Sequence, residues 1–327
     1  MRVLVIGAAG MVGGKLVRRL VADGALNGQP IDGLILADRV APEAPANAPF
    51  GVAAEAVDLA AEGVADRLVA ARPEVIFHLA AIVSGEAESD FDKGYRTNLD
   101  GTRDLFEAIR RVGGGYRPRV VFTSSVAVFG APFPDSIGDE FFQTPLTSYG
   151  TQKAIGELLL ADFTRKGFID GIGIRLPTIC VRPGRPNLAA SGFFSNIIRE
   201  PLAGEEAVLP VGEDARHTHA SPRSAVGFLM HAAGLDGAAV GPRRNLTMPG
   251  VSVTVGEQIA TLGAVAGDNV VRRIRRQPDE TIIRIVAGWP ERFSPGRALA
   301  LGFRAEASFA EIVRIHIDDE LGGTWVR

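Results

Sequence analysis

At 327 residues the chain exceeds one typical domain and can bury a sizeable core, so its length favours one large α/β unit or a main domain with a smaller appendage. A net charge of −3, without long acidic or basic blocks, gives no reason to expect nucleic acid or an anionic membrane as a partner and leaves a small molecule as the expected ligand. Cys180 is the only cysteine, which excludes an intrachain disulfide and a multi-cysteine metal centre; no metal is expected, and the thiol reads as a small buried hydrophobe in a reducing compartment.

The chain opens MRVLVIGAAG, with no charged segment leading into a long apolar stretch, and no window is apolar over the roughly 18 residues that a membrane span needs. A soluble cytoplasmic protein is expected. Short runs rich in Val, Ile and Leu read as buried strands: RVLVIG (2–7), GLILAD (33–38), GVAAEAVDL (51–59), EVIFHLAA (74–81), RVVFTSSV (119–126) and GIGIRLPTI (171–179). Between them MVGGKLVRRLVADG (11–24) and NLDGTRDLFEAIRRVG (98–113) are apolar at helical spacing. Strand and helix in alternation predict an α/β fold, a Rossmann-type doubly wound parallel sheet with helices on both faces. The regularity weakens after Pro183. Helix-like pieces at 193–204, 222–234, 254–267 and 308–323 are separated there by turn-rich segments, and the Arg-rich stretch 270–280 reads as a solvated edge.

The first strand runs into GAAGMVGG, with Gly7, Gly10 and Gly13 at G-x-x-G-x-x-G spacing, and Met11 and Val12 open the helix that follows. Such a turn between strand and helix lets backbone approach a pyrophosphate and aims the helix N-terminus at it. Asp38 closes the second predicted strand, where a carboxylate accepts hydrogen bonds from ribose hydroxyls and repels a 2′-phosphate; the expected cofactor is therefore NAD rather than NADP, although Arg39 stands beside it. Asp58 and Leu59, ending the third, are candidates for the adenine pocket, with a turn cap as the other reading of Asp58.

YGTQK (149–153) sets Tyr149 and Lys153 four apart, hence on one helix face, in a chain with only three tyrosines and four lysines. A phenol with an ordinary pKa of about 10 is a poor base at neutral pH, and a nearby ammonium lowers it. Taken with the glycine spacing, HLAA (78–81), NLDGT (98–102), SSVAVFG (124–130) and RLPT (175–178), this segment resembles the extended branch of the short-chain dehydrogenase/reductase family, which also contains nucleotide-sugar epimerases and dehydratases. The resemblance implies Ser125, Tyr149 and Lys153 as catalytic residues. It implies Leu79, Ala80, Ala81, Asn98, Tyr149, Lys153 and Pro177 at the cofactor, with Asn98 tying sheet and cofactor together. Arg175, inside the predicted sixth strand, reads as structural support.

Dehydratases of the family carry an Asp-Glu pair where this chain has Val126 and Ala127, which leaves dehydrogenation or epimerisation. The loops at 78–102, 175–187, 193–204, 216–223 and 288–303 resemble members that oxidise the C2 hydroxyl of a four-carbon sugar acid, D-erythronate, to 2-oxo-tetronate with NAD. Ser84, Ser125, Tyr149, Thr178, Arg182 and Arg216 are the substrate candidates on that basis, with Arg185 a further cation, since Arg suits a carboxylate. His217 and His219 read equally as substrate ligands or as ordinary loop histidines. The rival functions are a nucleotide-sugar 4-epimerase using the same residues, although Arg216 precedes His219 by three rather than the usual four, and a non-catalytic dinucleotide sensor, which has no need of Ser125, Tyr149 and Lys153. The expected division is a nucleotide-binding and catalytic domain over 1–180 and a mainly substrate-binding, smaller mixed region over 181–327, some of whose segments return to the first. The resemblance also implies a homodimer paired through the helices of 98–109 and 149–163.

Overall fold

The computed structural model describes residues 1–184 and 190–326. Seven strands form the central sheet: β1 (Arg2–Ile6), β2 (Gly33–Asp38), β3 (Gly51–Ala56), β4 (Val75–His78), β5 (Arg119–Ser125), β6 (Asp170–Leu176) and β7 (Asn245–Thr247). Their order is 3-2-1-4-5-6-7 and every pairing is parallel. The central strands are buried on both faces, with Val3, Leu4 and Val5 of β1 fully inaccessible, which explains their unbroken apolar runs. Strand order reverses between β1 and β4, and a parallel sheet opens a crevice at the carboxyl ends of such a pair. The glycine turn leaves β1 at that place.

The helices of this unit are α1 (Met11–Asp23), α2 (Val64–Val69), α3 (Ser84–Ser89), α4 (Phe91–Tyr95), α5 (Gly101–Val112) and α6 (Ser148–Arg165). Leu16, Val17, Leu20 and Val21 give α1 its buried stripe, and Gly24 ends it in the left-handed conformation. Between α4 and α5 the chain forms a π turn over Arg96–Asp100, wider than the α-helix expected from residue 98, and Asn98 is buried in it. Strand β3 stops at Ala56, so Asp58 lies beyond the strand rather than at its end; its Oδ1 accepts the Ala60 N–H at 3.1 Å, capping a turn.

The chain divides into two compact units. The first comprises Met1–Val128, Pro145–Leu176 and Val226–Thr247; the second comprises Phe129–Thr144, Pro177–Ala225 and Met248–Arg327. The second unit contains a three-stranded sheet of Thr178–Ile179, Arg216–Ala220 and Val251–Thr254, and a two-stranded one of Ala207–Leu209 with Ile274–Arg276. In the latter Arg275 and Arg276 are exposed, the solvated edge expected of the Arg-rich run. Its core joins Phe193, Phe194 and Ile197 of helix Gly192–Ala203 to Ile259 and Leu262 of helix Val255–Ala266 and to Ile312 and Val313 of helix Phe309–Leu321. Thr254 and Glu257 form a reciprocal capping box at the second of these helices. Among the described residues no helix is long and apolar enough to cross a membrane.

Candidate active site

Backbone contacts shape the glycine turn. Gly7 has φ +92°, and a Cβ there would lie 2.6 Å from the Ala80 nitrogen; a Cβ on Gly13 would lie 2.0 Å from the Gly7 carbonyl oxygen. Any larger residue at either position would push the turn open. Gly10 is the N-cap of α1 and no side chain caps the helix, while Met11 and Val12 are half-buried in its first turn. Against this turn lies a cavity of about 350 Å³ whose wall includes Gly7, Gly10, Asp38, Asp58, Leu59, Leu79, Ala80 and Ala81. Asp38 is tied to the turn, its Oδ2 accepting the Ala9 N–H at 2.9 Å. Asp58 is both a turn cap and part of the wall, and its Oδ2 also receives a hydrogen bond from Arg96 at 3.3 Å. Close backbone, one strand-end carboxylate and an apolar wall suit a dinucleotide by size and chemistry.

Ser125 ends β5 and is followed by a 3₁₀ turn, Val126–Val128; its Oγ accepts the Ala127 N–H at 3.1 Å. Helix α6 starts directly beside that turn. Thr147 caps it, accepting the Gly150 N–H at 3.1 Å, and a Cβ on Gly150 would stand 2.2 Å from the Ala127 carbonyl oxygen. Glycine after Tyr149 is therefore what allows the helix to approach the strand that bears Ser125. Lys153, one turn on, is almost wholly buried; its Nζ donates to the Thr123 carbonyl at 2.8 Å and lies 5.8 Å from the centroid of the Tyr149 ring. Burial pushes its ammonium down to about 7, with the carboxylate of Glu157 opposing. His78, on β4, is held neutral by burial and by Lys153, its pKa pressed down to about 3. Since Thr102 Oγ1 spends its proton on the Asn98 carbonyl at 2.7 Å, His78 Nε2–H donates to Thr102 at 2.9 Å.

Asn98 clamps Ile82, exchanging hydrogen bonds with its backbone N–H and carbonyl at 2.7 and 3.0 Å, and donates to Gln152 Oε1 at 2.6 Å. Ile82 belongs to the cavity wall, so Asn98 links that wall to the catalytic-candidate helix. Ser124 and Gln152 lie inside SSVAVFG and YGTQK without a role assigned there, and Glu157 lies outside every motif. The signal available was polar residues on the helix face that should be apolar: Gln152, Lys153 and Glu157 lie on the same buried stripe as Leu160 and Phe163.

The remaining candidates are distributed as follows. Ser84 opens α3 in the first unit. Pro177, Thr178, Arg182 and Arg216 belong to the second unit, and Arg185 lies outside the described residues. His217 and His219 sit in the strand Arg216–Ala220 rather than a loop, and both are buried. His217 Nδ1 meets the Pro290 carbonyl at 3.1 Å and must carry the hydrogen; burial lowers this imidazole to about 4, so its bare Nε2 accepts from Thr178 Oγ1 at 2.8 Å. Thr178 thereby has its proton committed and offers lone pairs only. The Arg216 guanidinium donates to the Ser252 carbonyl at 3.0 Å and pairs with Glu257 at 3.1 Å. Arg182 donates to the Ile179 carbonyl at 3.2 Å and to Ser191 Oγ at 3.0 Å. Cys180 is buried, as expected, and burial raises its thiol to about 12.

Residues 3–219 match the NAD dependent epimerase/dehydratase family. The chain belongs to this family. It is accordingly an enzyme with NAD as cofactor, and the glycine turn of β1 and α1 is the part of the family member that sits where a dinucleotide fits. Over 323 residues it is 46% identical to a D-erythronate dehydrogenase of Cupriavidus necator, covering 98% of each chain. A D-erythronate dehydrogenase of Haemophilus influenzae is 43% identical over 98% of this chain and 100% of its own length. A crystal structure described as a nucleoside-diphosphate-sugar epimerase of Agrobacterium tumefaciens matches with a TM-score of 0.97 and 66% identity, over 99% of this chain and 95% of that one.

Proposed function

We propose that this family member oxidises the C2 hydroxyl of a small sugar acid, D-erythronate, to 2-oxo-tetronate. The observation that carries the chemistry is the buried Lys153 ammonium 5.8 Å from the Tyr149 ring, on a helix that Gly150 lets settle beside Ser125. The substrate assignment is supported by two dehydrogenases of D-erythronate that are similar over nearly their whole length. The residues proposed to hold NAD are Gly7, Gly10, Met11, Val12 and Gly13 at the turn, Asp38 at the adenosine ribose, Asp58, Leu59, Leu79, Ala80 and Ala81 along the wall, Asn98 through Ile82, and Tyr149, Lys153 and Pro177. NAD, when bound, supplies the acceptor for the hydride that leaves C2. Tyr149 takes the hydroxyl proton onto its phenolate oxygen. Lys153 stabilises that phenolate by charge, and Ser125 orients the reacting oxygen by hydrogen bonding. Thr178 accepts from a substrate hydroxyl, Ser84 binds another, and Arg182 or Arg216 meets the carboxylate. The active species proposed is a homodimer paired through α5 and α6, whose Leu158 is 64% exposed in the middle of a long helix.

With D-erythronate and NAD, steady accumulation of NADH is expected, and Tyr149→Phe should lower kcat/KM by roughly 10²- to 10⁴-fold. The Agrobacterium tumefaciens match favours a second reading, nucleotide-sugar epimerisation, in which the hydride returns and no NADH accumulates. Turnover of a UDP-sugar without response to any four- to six-carbon aldonate would replace the first reading by the second.

A further inference from the structure

One helical turn beyond Lys153 lies a second buried group of charges. Ser124 on β5 and Arg175 on β6 are direct partners in the sheet register, so their side chains leave the same face. Glu157 meets them from α6, one helical turn beyond Lys153. Its side chain is wholly inaccessible, and Arg175 grips it as a fork, Nε to Oε1 at 2.9 Å and Nη2 to Oε2 at 2.7 Å, while Ser124 donates to Oε1 at 2.5 Å. These donors compensate the burial of the side chain. The Lys153 ammonium donates to the Thr123 carbonyl, and the Glu157 carboxylate acts on it by charge.

Among the described residues the other groups named around Lys153 bring no compensating negative charge. On β4 stands neutral His78; the π turn contributes the amide of Asn98, and Phe122 on β5 offers its ring 4.8 Å from Nζ. On α3 the Glu88 carboxylate is used by the Ser148 N–H at 3.0 Å and Glu86 by Lys93 of α4, and Arg96 of the π turn pairs with Asp58. Glu157 is the carboxylate that the buried ammonium feels.

We propose that Glu157, held in place by Arg175 and Ser124, is a positioning residue that favours the charged form of the Lys153 side chain beside Tyr149. The inference deepens the catalytic reading above and rests on it for its consequence. Arg175 is then more than sheet support: it fixes how strongly the carboxylate acts on the lysine. The two members of the pair must therefore pull Lys153 in opposite directions, which a purely structural role would not do.

The chain has four lysines, Lys15, Lys93, Lys153 and Lys166, so carbon-13 NMR of labelled lysine can follow each one, with Lys153→Met identifying the signal of interest. In Glu157→Gln the titration midpoint of Lys153 should fall by about one pH unit, a tenfold fall in the ammonium-to-amine ratio at fixed pH, and in Arg175→Met it should rise. The alkaline limb of kcat/KM should follow the midpoint. Should Glu157→Gln not fold, the double Arg175→Met, Glu157→Gln variant, which removes both buried charges together, must still lower the midpoint, because the carboxylate is the charge that acts on Lys153. An unmoved midpoint, or shifts of the same sign in both single variants, overturns the proposal. The NMR midpoint does not depend on Tyr149 being the base: full activity of Tyr149→Phe would remove the catalytic reading and leave the lysine result standing.

Discussion

The glycine turn of the first unit and the strand Arg216–Ala220 of the second solve the problem of presenting polar groups in different ways. At the turn the surface is backbone, and the side chains have been removed so that Gly7, Gly13 and Ala80 can touch. In the strand the surface is side chain, and its polar atoms are committed to one another, His217 to Thr178 and Pro290, Arg216 to Glu257 and Ser252. A backbone surface is defined by sterics and tolerates almost no substitution. A surface of paired side chains answers in degrees, and where an imidazole is involved it answers to pH.

The contrast is most easily broken at Gly13. Gly13→Ala places a methyl 2.0 Å from the Gly7 carbonyl, and loss of NAD binding by at least about a hundredfold in calorimetry, or a drop of several degrees in Tm, is expected. An alanine tolerated there would mean that the turn is not held by contact. For the strand, His217→Phe leaves the Thr178 hydroxyl and the Pro290 carbonyl without their partner and should cost about 1–3 kcal/mol in urea unfolding. The same variant tests the pH response. His217 titrates near 4 in the folded state against an ordinary value of 6.5, so below about pH 6.5 the unfolded chain takes up a proton that the folded chain refuses. Stability should be complete above that range and fall by about 1.4 kcal/mol per pH unit for this group as pH drops towards 4. His78, pressed further down, adds a second such slope in the first unit, and His217→Phe should flatten the profile by one histidine only. The smallest effect belongs to Arg216→Met. Its ion pair with half-exposed Glu257 is worth at most about 1 kcal/mol, so the fold should barely respond. A KM for D-erythronate raised tenfold or more with kcat intact would assign the substrate carboxylate to Arg216; an unchanged KM would move it to Arg182.

The same contrast governs what is legible in the amino-acid sequence. Strands β1, β2 and β4 to β6 announce themselves because parallel strands buried on both faces must be continuous apolar runs; the edge strand β3, read as buried, is largely exposed because it has a neighbour on one side only, and β7 is three residues long, Asn245–Thr247, with no pattern to show. The glycine spacing is visible because sterics write it into residue type. Helix α6 is half legible: Tyr149 and Lys153 stand out by their rarity, yet the inward positions of Gln152 and Glu157 look like ordinary polar residues of a solvated face, and only the partners supplied by Asn98, Arg175 and Ser124, distant in sequence, make them interior. The π turn around Asn98 is invisible for a similar reason, since its extra width depends on what it packs against. In the second unit His217 and His219 read as loop residues because their strand is defined by pairing with Val251–Thr254, more than thirty residues on, and not by any local alternation.

Asp38 ties two properties of the enzyme into one hydrogen bond. The carboxylate proposed to select against a phosphorylated ribose also anchors the Ala9 N–H, and with it the loop that would receive the pyrophosphate. Cofactor preference and loop shape are therefore inherited together: a lineage or a designer that exchanges this residue to admit NADP also releases the loop, and must supply a new anchor for residue 9 before the broader specificity can become tight binding.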